Sequence, residues 1–195
     1  MTTDKTTFNL MIAGVGGQGT VLASKLIAAA AMNKGYDVRT TETIGMAQRG
    51  GSVFGHVRIG ENIFSPLIPL GKADAIIAFE PAEAVRQLPY LNKNGTVIAC
   101  NTAIKPVDLK AGSYEAGVML DYLQANTHRL IILDGLRLTG QNTKTLNIAL
   151  LGAAAQSGIF PFDADTLNDA LHQVLPERIL EMNLKAFETG RELCP

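Results

Sequence analysis

The chain has no tryptophan, and phenylalanine and tyrosine together make only 6% of it. That leaves little aromatic surface on which bases could stack. Its charges nearly cancel, with 17 Lys and Arg against 18 Asp and Glu for a net charge of −1, so it lacks the basic footprint of a nucleic-acid binder. No apolar run approaches the roughly 20 residues needed to span a bilayer. The opening residues Met1 to Lys5 lack the charged-then-apolar pattern of a secretory leader. The expectation is a cytoplasmic protein with no membrane and no nucleic-acid partner. Cysteine is scarce, with only Cys100 and Cys194. A disulfide does not suit a reducing compartment, and a four-cysteine iron–sulfur site cannot be built from one such chain. His56, His128 and His172 are the only histidines, and none has a partner at zinc-ligand spacing. There is no G-x-S-x-G elbow and no C-x-x-C. The phosphate-loop pattern fails as well, because Thr20 stands where its lysine belongs.

What is present is a hydrophobic content of 47% in 195 residues, enough for a real core in one domain spanning 1–195. Apolar runs alternate with helical patterns from Phe8 onward. Strands are expected near 8–15, 36–43, 52–59, 73–79, 96–100 and 130–133, and helices after Gly19, from Pro81, over 114–125, over 144–156, after Asp163 or Asp165, and from Pro176. Such alternation means an α/β fold: a three-layer, Rossmann-like domain with a mostly parallel sheet. Residues 37–59 read equally as a long-looped hairpin or as two separate strands. Asn94-Gly95 reads as a turn before its strand.

The first strand runs into Gly14, Gly16, Gly17, Gln18 and Gly19, a G-x-G-x-x-G spacing that opens a helix. Bare glycines let an anion approach the backbone, and the helix start offers free N–H groups and a positive dipole end. The same turn also occurs in α/β proteins with no ligand. Glu42 lies near the roughly 20-residue distance at which a dinucleotide fold places a ribose-binding acid. It leads into Arg49, Gly50 and Gly51, where a guanidinium fork stands beside bare backbone, a grip for phosphate or carboxylate. The plainer readings are a solvated strand-end carboxylate and an arginine paired locally. Glu80 and Glu83 read as first-turn helix acids rather than a catalytic pair. No catalytic residue is identifiable.

Taken together, Gly14 to Gly19, Glu42 to Val53 (ETIGMAQRGGSV), His56 to Gly60, Ser65 to Pro69, Ala73 to Pro81, Asn147 to Gly152 and Asn183 to Gly190 resemble the γ-type, or catalytic-domain, subunits of the 2-oxoacid:ferredoxin oxidoreductases. The Gly-Met-Ala-Gln-Arg-Gly-Gly run is most similar to the indolepyruvate branch. The resemblance implies oxidative decarboxylation of an aryl pyruvate to an acyl-coenzyme A, with ferredoxin as electron acceptor. It implies a large partner subunit that carries thiamine diphosphate, Mg2+ and 4Fe-4S clusters, leaving no cofactor tightly bound to this chain alone and coenzyme A as a substrate. On this expectation Gly14 to Gly19 and Arg49 form one pocket for the coenzyme A phosphates, and an apolar partner surface lies at Ser65 to Leu70 and around Met46. The alternatives are a γ subunit for pyruvate, 2-oxoisovalerate or 2-oxoglutarate, a free-standing NAD(P)-binding dehydrogenase, and a nucleotide-binding regulator without catalytic activity.

Overall fold

A computed structural model describes residues 7–44, 51–104, 114–140 and 143–195. In chain order the elements are β1 (Phe8–Val15), α1 (Thr20–Asn33), β2 (Asp37–Ile44), β3 (Ser52–Gly60), β4 (Ala73–Ala78), α2 (Pro81–Gln87), β5 (Leu91–Cys100), α3 (Ala116–Asn126), β6 (Arg129–Leu133), α4 (Gly135–Thr139), α5 (Leu146–Gln156), α6 (Ala164–Val174) and α7 (Glu177–Leu193). The local signals act where the sequence puts them. Glu80 caps α2 through the Glu83 N–H with Pro81 in the first turn, Asp163 caps α6 through the Thr166 N–H, and Gly35 leaves α1 with φ of 80°.

The six strands form one sheet in the order β2-β3-β1-β4-β5-β6. β1, β4, β5 and β6 run parallel, and β3 is antiparallel to both β1 and β2. The ambiguity over residues 37–59 resolves as a hairpin, with β3 inserted between β2 and β1. Asn94 and Gly95 fall inside β5 instead of before it. They take up a register shift between the Ala73–Leu91 and Ala75–Thr96 pairs, where Asn92 turns its amide onto Asp74. The short helix α4, capped by Asp134, has no counterpart in the sequence reading.

One sheet face packs against α1, α5, α6 and α7, and the other carries α2 and α3. α5 is buried along nearly its whole length because it lies between the sheet and α7. This explains its apolar, Ala-rich sequence, while the outer helices α6 and α7 are amphipathic. α5 and α7 meet backbone to backbone. A Cβ on Gly152 would fall 2.0 Å from the Phe187 carbonyl oxygen, and one on Gly190 would fall 1.8 Å from that of Ala149. A side chain at either site forces the helices apart, an overpacking cost of about 1–3 kcal/mol. Among the described residues no helix is long and apolar enough to cross a membrane.

On the α2/α3 side, residues 61–72 form a strap over β3. The Ile68 N–H donates to Nδ1 of buried His56 at 3.2 Å, and Arg58 donates to the Ser65 and Leu67 carbonyls at 3.0 and 3.4 Å. His56 stacks edge-on against Phe54 and Tyr90. Burial pulls its pKa below the usual 6.5. Because the folded state binds this proton less readily than the unfolded chain, the stability it contributes is complete above pH 6.5 and is lost as pH falls through the folded pKa. Protonation also replaces the acceptor of the Ile68 N–H with a donor. Melting curves from pH 7.5 to 5 should therefore show the wild type losing stability relative to His56→Asn, which keeps an acceptor and does not titrate. Parallel profiles for the two proteins would contradict this account.

Candidate functional site

The β1–α1 turn is built by exclusion of side chains. A Cβ on Gly14 would lie 2.8 Å from Gln18 Oε1 and 3.1 Å from both Phe79 and Thr20. Gly17 and Gly19 have φ of 97° and 78°, the left-handed region that suits glycine. A Cβ on Gly19 would strike Asn147 Nδ2 at 2.3 Å. Buried Asn147 donates to the Gly19 carbonyl at 3.3 Å and accepts from the Ile148 N–H, tying the starts of α1 and α5 together. The sequence reading quoted Asn147 only within a family-like segment. Its role rests on a contact 128 residues distant in the chain, which no local pattern encodes.

Gln18 points inward. Its Oε1 accepts from the Val15 N–H at 2.8 Å, and its Nε2 donates to the Phe79 carbonyl at 3.0 Å. The amide closes the turn and links the ends of β1 and β4, so its polar atoms are committed to the main chain. No side chain caps α1, and the Ala23 N–H reaches the Gly19 carbonyl. The preceding amides of the first turn therefore have no intrahelical partner.

The turn itself borders a cavity of about 400 Å³ lined by Gly16, Gly17, Gln18, Thr102, Thr143 and Lys144, with Ile104 and Leu146 as its apolar wall. It sits beyond the C-terminal ends of β1 and β5, where parallel sheets bind ligands. Hydroxyls, a bare glycine backbone and a lysine side chain suit an anion joined to an apolar body. Thr143 and Lys144 were not singled out from sequence, because the fold alone carries the start of α5 to the glycine turn. Beneath Thr102, the Cys100 thiol is buried and its pKa is pushed up by that burial, so it is held protonated and unreactive. Asn101 and Asp134 are occupied in forming α4: Asn101 Oδ1 accepts from the Gly135 N–H, and Asp134 caps the helix through the N–H groups of Leu136 and Arg137.

The two glycine segments do meet, since the Gly16 N–H donates to the Gly51 carbonyl at 2.9 Å. Arg49, Gly50 and Met46 lie outside the described residues. Glu42 is not brought to the turn. It pairs with Gly55, and Gly55 pairs with Ile12, so it stands two strands from β1, roughly 10 Å away. A dinucleotide fold places the acid-bearing strand beside β1, and β3 occupies that place here. Glu80 and Glu83 are helix acids, as expected, and they also cross-link the site's surroundings. Glu80 accepts from the Tyr114 hydroxyl, and Glu83 accepts from Ser52 Oγ at 2.5 Å. Burial raises the pKa of the Glu80 carboxyl.

Residues 9–193 match the family described as Pyruvate ferredoxin/flavodoxin oxidoreductase. The Archaeoglobus fulgidus protein named indolepyruvate oxidoreductase subunit IorB is 40% identical over 187 residues, covering 93% of this chain and 92% of that one. Its namesake from Thermococcus kodakarensis is 35% identical over 189 residues, 94% of each chain. Among solved structures, a chain of the 2-oxoglutarate:ferredoxin oxidoreductase from Magnetococcus marinus, determined with 2-oxoglutarate, coenzyme A and succinyl-CoA bound, superposes with a TM-score of 0.71 at 21% identity. That alignment covers 97% of this chain but only 31% of the longer neighbour. The mixed six-stranded sheet and the family match over nearly every element agree: this chain belongs to the pyruvate ferredoxin/flavodoxin oxidoreductase family.

Proposed function

We propose that the chain acts with a large partner subunit in the oxidative decarboxylation of aryl pyruvates, and that its glycine turn holds the phosphates of coenzyme A. The chain is the small subunit of an indolepyruvate:ferredoxin oxidoreductase, an oxidoreductase subunit whose electron acceptor is an iron–sulfur protein. The observation that carries the coenzyme A assignment is the 400 Å³ cavity at the C-terminal edge, where Gly16, Gly17, Thr102, Thr143 and Lys144 converge. The glycine backbone of the turn and the Lys144 side chain supply the polar wall for phosphate, and Ile104 and Leu146 supply apolar contact. Arg49 adds a bidentate donor from the segment that ends at Gly51, whose carbonyl is bonded to the glycine turn.

The thiamine diphosphate, Mg2+ and iron–sulfur clusters belong to the partner. With two cysteines, one of them buried beneath Thr102 and the other beside the C-terminus, this chain does not supply a cluster's ligands. Among the described residues there is no group of three or more His, Cys, Asp or Glu placed to hold a metal. What this chain contributes is a rigid edge that binds and positions the acyl acceptor.

The experiment is reconstitution of the two-subunit enzyme, read by viologen reduction with indolepyruvate. Neither the isolated chain nor pyruvate in place of indolepyruvate should support comparable turnover. Lys144→Ala and Arg49→Ala should each raise the half-saturating coenzyme A concentration about ten- to a hundred-fold, the loss of one charge-assisted contact worth roughly 1.5–3 kcal/mol. The rate at saturating coenzyme A should be preserved. Unchanged coenzyme A dependence in both variants would overturn the phosphate site, and turnover by the chain alone would overturn the subunit assignment.

A further inference from the structure

We propose that the 61–72 strap, together with the adjoining side of β2 and β3, is the face on which this chain docks the large subunit of the same enzyme. The inference rests on the subunit role proposed above and adds where the partner sits. Three large apolar side chains stand out of the strap: Phe64 is 90% exposed, Leu67 61% and Leu70 66%. They are not a loose loop tip. Between them Ile68 is buried at 3% exposure among Met11, Ala13 and Ile76, and anchors the segment to the sheet.

The main chain of the strap is held at several points. His56 takes the Ile68 N–H, and Arg58 takes the Ser65 and Leu67 carbonyls while its Nε donates to Asn9 on β1 at 2.9 Å. The Leu67 N–H is turned onto Ser65 Oγ, the Lys72 N–H onto the Pro69 carbonyl, and the Gly71 N–H onto the Pro89 carbonyl. Pro66 and Pro69 fix two backbone angles besides. Side chains displayed on such a frame lose little further freedom on binding, which is how a preorganised surface keeps its affinity.

The surroundings extend the patch. α2 covers β1, β4 and β5, whereas the same side of β2 presents Arg39 and Thr43 exposed and Thr41 half-buried beside half-buried Phe54. An apolar centre with a polar margin is the anatomy of a protein–protein interface. Three side chains fall short of the roughly 800 Å² per partner of a stable contact, so the exposed part of β2 belongs to the docking face. The occupant follows from chain architecture. In the Magnetococcus marinus enzyme this fold is 31% of one longer chain, so it adjoins further polypeptide there. On the subunit role proposed above, that further polypeptide is here the large partner, which needs a noncovalent hold.

The test titrates the tagged chain against the large subunit. Phe64→Asp/Leu67→Asp/Leu70→Asp alters only exposed side chains, so its melting curve should match the wild type. The milder pair Phe64→Ala/Leu67→Ala serves if it does not. Binding should weaken at least about thirty-fold in the triple variant, the scale of a lost hot spot. Met32→Asp, at a 59% exposed site on α1, should bind within two-fold of wild type. Wild-type affinity in the triple variant, with the wild-type complex active, overturns this docking face alone. A variant that breaks a self-dimer of the chain but still pairs with the large subunit also overturns it, making the occupant a second copy. Failure of the wild-type chain to bind the large subunit overturns the docking face and the proposed function together.

Discussion

The site depends on one close approach, the meeting of the ends of β1 and β4 with the starts of α1 and α5 at Gly14 and Gly19. Neither glycine has room for a Cβ, since Gln18, Phe79 and Thr20 crowd the first and Asn147 fills the space above the second. Gln18 and Asn147 then turn that proximity into hydrogen bonds to Val15, Phe79, Gly19 and Ile148. Two helix starts are thereby fixed beside one cavity, with no side-chain hydrogen bond from the N-cap residue of either. The buried α5 holds its own position through the backbone contact of Gly152 and Gly190 with α7. The chain thus keeps a rigid edge with three layers behind it.

Much of this was legible in the sequence, because each signal involved was local. Alternating apolar runs mark strands and helices, Glu80-Pro81 and Asp163 mark helix starts, and glycine spacing marks the turn. The position of β3 was not legible. A period of two is the same for parallel and antiparallel strands, and nothing in residues 37–59 says which neighbour each will take. That single insertion removes Glu42 from the site. It also replaces the side-by-side β1–β2 geometry of a dinucleotide fold, and with it the case for a free-standing NAD(P) dehydrogenase. Thr143, Lys144 and Asn147 were missed for the opposite reason. They lie more than a hundred residues beyond the glycine turn and reach it only through the packing of α5. Gln18 was placed in the glycine-turn pocket from sequence; its side chain hydrogen-bonds the main chain of Val15 and Phe79 while the residue lines the cavity.

The division of labour follows from what each part of the surface offers. One edge of the sheet presents glycine backbone, hydroxyls and a lysine around a cavity, the chemistry of the proposed anion site. The thiol nearest to it, Cys100, is buried and protonated. One flank presents fixed apolar side chains on a pinned strap. The proposed role, positioning an acyl acceptor for a partner subunit, draws on both features.

The most direct measurement is amide hydrogen exchange on the assembled two-subunit enzyme, with and without coenzyme A. The account predicts slowed exchange confined, within this chain, to the glycine turn from Gly16 to Gly19, the segment of Arg49 to Gly51, residues 102–104 and residues 143–146. Protection of other segments of this chain alone, or none in it at all, would contradict the assignment of the glycine edge as the coenzyme A site.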